Sequence, residues 1–195
     1  MNRASLRPPR FAGGWSPAAV ADGARLVLPL PQHGVAFEQA VDRLCAHWQS
    51  QPFHTAYLGV SAPFLENISI LENLWLPLAF QRSLSVAEVA RRAALQRHLF
   101  GWSELDLRHL LASRPGDLPA AVLGAAAVLR AALIDPDWVL IEPAWFARPL
   151  LGADHVLSLL EQCLGKARWL LLWPADQTTL PPGVGWNTIR LEAGA

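Results

Sequence analysis

Residues 113–145 read SRPGDLPAAVLGAAAVLRAALIDPDWVLIEPAW. Pro119 suits the first turn of a helix, where its missing N–H would have no intrahelical partner, and the alanine-rich run to Ile134 has high intrinsic helicity. That helix is apolar nearly all round, which predicts packing on every side. Asp135-Pro136-Asp137 then turns the chain into WVLI, a short apolar run with the character of a strand buried on both faces.

The same alternation extends outward in both directions. Asp22-Gly23 marks a turn before ARLVLPL, a second buried strand, and Val35, Phe37, Ala40, Val41, Leu44 and Trp48 follow at helical spacing after a short PQHG loop. HTAYLGV (54–60) reads as another strand, SAPFLENIS as a loop leading into ILENLWLPLAF, and Ser85-Val-Ala-Glu88 as a capping box starting a helix to about Phe100. Arg91, Arg92 and Arg97 fall on its wet face and Gly101 ends it. Ser103 starts a further helix carrying Leu105, Leu107, Leu110 and Leu111 until Arg114-Pro115-Gly116 breaks it. On the other side, Asp154 is placed to cap a helix that Gly165 stops, and WLLLW (169–173) is a last buried strand. Strands apolar on both faces and alternating with helices predict an α/β fold: a mostly parallel sheet with helices on both faces and an inserted helical lobe over about 72–118, in a single domain spanning 1–195.

Composition narrows the function. Hydrophobic residues make up 52% and charged residues 16% of the 195, so part of the surface is expected to be covered by a partner. Acidic and basic residues balance to zero net charge, with the arginines scattered, which excludes the basic footprint of a nucleic-acid binder. No apolar run reaches the roughly 18–20 residues of a membrane span, and MNRASLRPPRFAGG lacks the apolar core of a secretion signal, so the expected location is cytoplasmic. Cys45 and Cys163 are read as buried reduced thiols; Cys45-x-His47 with His54 matches no zinc spacing, so neither a metal nor any other cofactor is expected. No G-x-S-x-G elbow or HExxH motif supports a hydrolase.

In order and spacing, ISILENLWLPL (68–78), RPGDL…LRAALIDPDWVLIEP (114–143) and the terminal WNTIRLEAG (186–194) resemble the ATP-binding cassette (ABC) ATPases, the motor subunits of ABC transporters, from about Gly23 to Gly194. The resemblance implies a P-loop NTPase-like fold. It also shows where the chemistry of such an ATPase would have to sit, and the residues there differ. A phosphate loop needs backbone donors, a lysine and a hydroxyl on Mg²⁺. PLPQHGVA keeps Gly34 on the second glycine, but Val35 stands for the lysine, Ala36 for the hydroxyl, and Pro29 and Pro31 remove donors. No glutamine lies near Val60 or Ser61 where the Q-loop would place one. Pro119, Ala120 and Ala121 replace the signature Ser-Gly-Gly after Leu118, Ile141 replaces the Walker B aspartate, and Trp173-Pro174 occupies the place of the switch histidine. Glu142 alone is retained.

Between Gly34 and Glu72-Asn73 the chain is shorter than the family pattern by roughly a couple of dozen residues, implying a truncated β-subdomain; a loop of that size is lost without unfolding the sheet. The lobe from Glu72 to Leu118 keeps nearly its full length, and in the family it helps form the groove that receives a transmembrane partner. The resemblance thus implies a non-catalytic pseudo-ATPase subunit or regulator of an ABC-type transporter complex, cytoplasmic and peripheral to the inner face of the membrane through a permease, an active ABC ATPase subunit, or both. A dimer is compatible with it. The alternative is a degenerate half-site of a heteromeric ABC ATPase that still holds nucleotide. ENLWLPL looks most like the lipid and lipoprotein exporters, including the Mla type. Eight of the nine tryptophans, Trp15, Trp75, Trp102, Trp138, Trp145, Trp169, Trp173 and Trp186, mostly flank apolar runs and are expected in the core. Trp75 is singled out as an interface anchor, with Glu72, Asn73, Leu76 and Arg92 on the same docking lobe.

Overall fold

The computed structural model describes residues 16–30, 34–59, 64–146, 153–177, 179–181 and 184–190. Its strands are β1 (Arg25–Leu30), β2 (Thr55–Leu58), β3 (Trp138–Ile141), β4 (Arg168–Pro174) and β5 (Asn187–Thr188). They form one sheet in the order β2-β3-β4-β1-β5, and every pairing is parallel. The helices are α1 (Val35–Gln49), α2 (Ile70–Arg82), α3 (Val86–Gln96), α4 (Glu104–Ala112), α5 (Ala120–Ile134) and α6 (Ala153–Leu164).

Side chains alternate across the strands into two separate cores, as the period of two requires. Leu26, Leu28 and Leu30 of β1, Leu140 of β3 and Leu170 and Leu172 of β4 join α1 through Val41, Leu44 and Trp48. Val27, Val139, Ile141, Trp169, Leu171 and Trp173 point the other way, to α5, α6 and the lobe built from α2, α3 and α4. Both faces are covered, which is why the strand segments lack polar alternation. Trp48, Trp138 and Trp169 are fully buried, while Trp75, Trp102 and Trp186 are half-buried; Trp15 lies outside the described residues.

Local sequence accounts for the helix ends. Ser69 and Ser103 make full capping boxes, with Glu72 and Asp106 reaching back to the capping residue's N–H. Gly101 takes φ of 67° after the 3-10 turn Arg97–Phe100, a left-handed position that favours glycine. Several sequence expectations need correction. Ser85 accepts from the Glu88 N–H, but the Glu88 carboxylate turns to Arg91 and Arg92 at 2.8 Å each, so only half of that box forms. Those two guanidiniums hold the Glu88 carboxyl well below its ordinary range, at about 2. Arg97 folds back to donate to the Ala94 carbonyl and is half-buried. Leu105 is 75% exposed because the inward face of α4 is set by Leu107 and Leu110. Pro119 is the residue before α5 rather than inside its first turn, and α6 already begins at Ala153, so Asp154 lies within it.

Two arginines tie the amino ends of β1 and β4 to the surrounding turns. The Arg25 guanidinium donates to the carbonyls of Gly23, Gly165 and Ala167 at 2.8–3.0 Å, pairs with Glu161, and lies 3.7 Å over the Trp169 ring. Arg168 pairs with Asp22 at 2.6 Å and donates to the Val20 carbonyl. A planar fork that satisfies several carbonyls while stacking on an indole has no lysine equivalent. Arg25→Ala is therefore expected to destabilise the fold by about 2–4 kcal/mol, with Arg25→Lys recovering little of it, read as shifts of the urea midpoint at constant slope.

Candidate functional site

In an open parallel sheet the ligand crevice lies beyond the carboxyl ends of the strands. There the chain after β1 enters α1 through Gly34, whose φ of 96° is left-handed, and Val35 and Ala36 open the helix. Ile141 ends β3 beside Leu58 of β2 and Leu171 of β4, with Glu142 next. Trp173 and Pro174 end β4 opposite Pro29 and Leu30. Because α5 is followed at once by β3 through Asp135, it runs antiparallel to that strand, and Pro119, Ala120 and Ala121 at its start project toward the same end of the sheet. The fold thus gathers the sequence-selected positions Gly34, Val35, Ala36, Ile141 and Glu142 at one edge and sets Pro119, Ala120 and Ala121 at the helix end nearest to it. Residues 31–33 and 60–63, which include Pro31 and the Q-loop region, lie outside the described residues.

The described side chains of this edge are apolar at Val35, Ala36 and Ile141 and polar at Glu142 and Tyr57. Val35 is largely solvent-facing and Ala36 is exposed, so neither of these positions supplies a cation or a hydroxyl; Ile141 is fully buried. Glu142 is 8% exposed, and its backbone N–H donates to the Leu58 carbonyl at 2.9 Å. Its carboxylate folds over Gly59 together with the Tyr57 phenol: a Cβ at residue 59 would lie 2.3 Å from Tyr57 Oη and 2.6 Å from Glu142 Oε1. Two polar side-chain tips thus lie over its Cα, and a larger residue there would have to displace them. Among the described residues no group of three or more His, Cys, Asp or Glu side chains could hold a metal ion. At positions 35, 36 and 141 the side chains are aliphatic and carry no cation, hydroxyl or carboxylate. Cys45 is half-buried, and burial, reinforced by Asp42 and Glu142, pushes its thiol up to about 12; burial takes Cys163 to about 11. Neither is a thiolate nucleophile near neutral pH.

The lobe presents a different surface. Glu72 is engaged in the Ser69 capping box, whose hydrogen bonds lower its carboxyl pKa. Asn73 is buried; its amide accepts from the Leu65 N–H at 2.7 Å and donates to the carbonyls of Leu65 and Ser69 at 3.0 Å, pinning the loop before α2. These two selected side chains serve the lobe's own loop. Trp75 is half-buried against the core, with its indole N–H on the Leu84 carbonyl at 2.9 Å, and Arg92 is half-buried beside Glu88. Leu76 is half-buried and lines a cleft of about 300 Å³ between α2, α5 and β2, with Pro77, Gln81 and Arg130 also in its wall. Beside it stand two apolar side chains that sequence reasoning passed over: Phe80, 86% exposed, and Leu65, 52% exposed. Leu76 and Phe80, four residues apart, share one outward stripe of α2. The available signal was Phe80 following the apolar LWLPLA stretch at a position that completes an i, i+4 pair.

No family model matches the sequence, and no curated protein matches it. Solved structures do. A bacterial ABC transporter cassette, determined as a dimer, superposes with a TM-score of 0.57 at 15% identity, covering 80% of this chain and 77% of that one. The ATP-binding subunit of an ABC transporter superposes with a TM-score of 0.53 at 22% identity, covering 80% of this chain and 70% of its own. The parallel sheet, the helices on both faces and the lobe between β2 and α5 therefore constitute the fold of the ABC transporter ATPase cassettes.

Proposed function

We propose that this chain is a non-catalytic pseudo-ATPase subunit or regulator of an ABC-type transporter complex, held at the inner face of a membrane by a permease that docks on its helical lobe. The observation that carries the reading is the contrast between two surfaces. At the carboxyl edge of the sheet, where a cassette ATPase would hold phosphate, stand Val35, Ala36 and Ile141. On the lobe, Leu65, Leu76 and Phe80 leave an apolar patch around a cleft. A monomer gains nothing from exposing a phenylalanine beside two leucines; a partner that covers them recovers the burial free energy. Trp75 fixes α2 to the turn before α3 through its indole N–H on the Leu84 carbonyl, and Arg92 pairs with Glu88 on α3 of the same lobe. ENLWLPL, the middle of α2, supports assigning the complex to the lipid and lipoprotein exporters.

The first test concerns nucleotide. Calorimetry with Mg-ATP is expected to show no binding at micromolar concentrations and no turnover, and Val35→Lys alone is expected to restore neither. Micromolar affinity would instead support the half-site of a heteromeric ATPase. The second concerns docking: the tagged chain is expected to co-purify from detergent-solubilised membranes with a permease identified by mass spectrometry. Phe80→Asp or Leu76→Glu should weaken that association at least about tenfold, while Val35→Asp at the sheet edge leaves it unchanged. Loss with Val35→Asp and retention with Phe80→Asp would move the interface to the nucleotide edge.

A further inference from the structure

A second hollow lies on the opposite flank of α5 from the docking cleft. It measures about 360 Å³ and is enclosed by three elements: the 3-10 turn and link after α3, the first turns of α5, and the middle of α6. Phe100 and Trp102 form one wall as a stacked pair, with ring centroids 4.5 Å apart and planes inclined by 13°. The opposite floor is made by Ala121 and Ala125, one turn apart on α5, and by Leu159 of α6. Short side chains under a rigid aromatic wall leave a space that the surrounding helices, fixed by their own packing, do not close.

The lining defines what fits. None of the described residues that line the hollow is charged, so an ionic group entering it would lose hydration without a counter-charge from them. Polar atoms come from Ser158 and Gln162, side by side on α6, where Gln162 Nε2 donates to Ser158 Oγ at 3.0 Å. That bond leaves the serine O–H as a donor and the glutamine carbonyl as an acceptor for one further partner. Volume, apolar walls and a single neutral polar pair are the features of a small-molecule pocket rather than of a flat contact surface.

We infer that this hollow is a ligand site for a small, uncharged, largely apolar molecule bearing one hydrogen-bonding group, its body against Trp102 and Leu159 and its polar group on Ser158 and Gln162. The assignment is independent of the permease-docking reading, because no residue of the hollow belongs to the cleft bearing Leu65 and Leu76.

The test uses the full chain and 2-naphthol, titrated by calorimetry. Saturable one-site binding with Kd on the order of 0.1 mM is expected for a ligand of this size. Ala125→Phe, which fills the floor, and Ser158→Trp, at an exposed position on the rim, should each weaken binding at least about tenfold. The second variant guards against misfolding of the first, and thermal melts check both. 2-Naphthoate, which carries a charge on a body of the same shape, should bind at least about tenfold more weakly. Phe80→Asp, on the other flank, should bind as wild type. The inference is overturned if no saturable heat appears up to the solubility limit of 2-naphthol. It also fails if both folded filling variants keep wild-type affinity, if naphthoate binds equally well, or if Phe80→Asp abolishes binding.

Discussion

Burial of α5 on every side is the constraint from which the rest of the structure follows. The helix lies between the sheet and the lobe, with α6 beside it, and Gly124, Ala126, Ala127, Val128, Leu129, Ala131, Ala132, Leu133 and Ile134 are all buried. A helix in that position can present almost no polar side chain and must be narrow, because three elements pack against it at once. Alanine satisfies both demands and has the highest helix propensity. The ends follow the same logic. Pro119 brings no backbone donor to the start, and at the finish Arg82 of α2 donates to the carbonyls of Ile134 and Asp135 at 2.9 and 3.0 Å, where Asp135 takes a left-handed φ of 50°. One guanidinium thus caps the central helix and locks the lobe to it.

The same constraint bears on the two hollows. Small side chains on α5 bring neighbouring backbones close where a large residue faces them, and leave space where none does. Toward α2 and β2 the gap is entered by Arg130, which reaches over Phe64 at 4.6 Å and whose pKa burial lowers. Toward α6 the gap stays neutral and apolar, since Ala121 and Ala125 face Trp102 across it. Cleft and hollow are consequences of one helix built from small residues, which is why they flank it on opposite sides.

The sheet and its order of helices were legible because they rest on local patterns. A strand buried on both faces is written as an unbroken apolar run, as in WVLI and WLLLW, and serine with an acid three residues on marks a helix start. What was not legible depends on distance. Arg25 finds Glu161 and Trp169 only after the chain has closed, and nothing beside it in sequence announces the pair. Leucine at helical spacing does not reveal which stripe of α4 faces inward; Leu107 and Leu110 do, against α2 and α3, while Leu105 stays exposed. At the candidate site the positions were legible through resemblance, and their gathering at one edge follows from the parallel topology. The roles of Glu72 and Asn73 were not, because both side chains are absorbed by the loop from Leu65 to Ser69, a demand that spacing alone does not express.

The sheet edge and the lobe differ in polarity, and the proposed function assigns each a different contact. In an edge without phosphate or metal, a buried lysine and carboxylate would have to be desolvated or left in strained pairing, and apolar side chains such as Ile141 would be the more stable occupants. On the lobe the reasoning runs the other way. Phe80, 86% exposed, gains almost no burial in the free chain, and a partner covering it together with Leu65 and Leu76 would add that burial free energy. On the proposed reading, the sheet edge serves the folded chain by itself and the lobe serves the chain together with its partner.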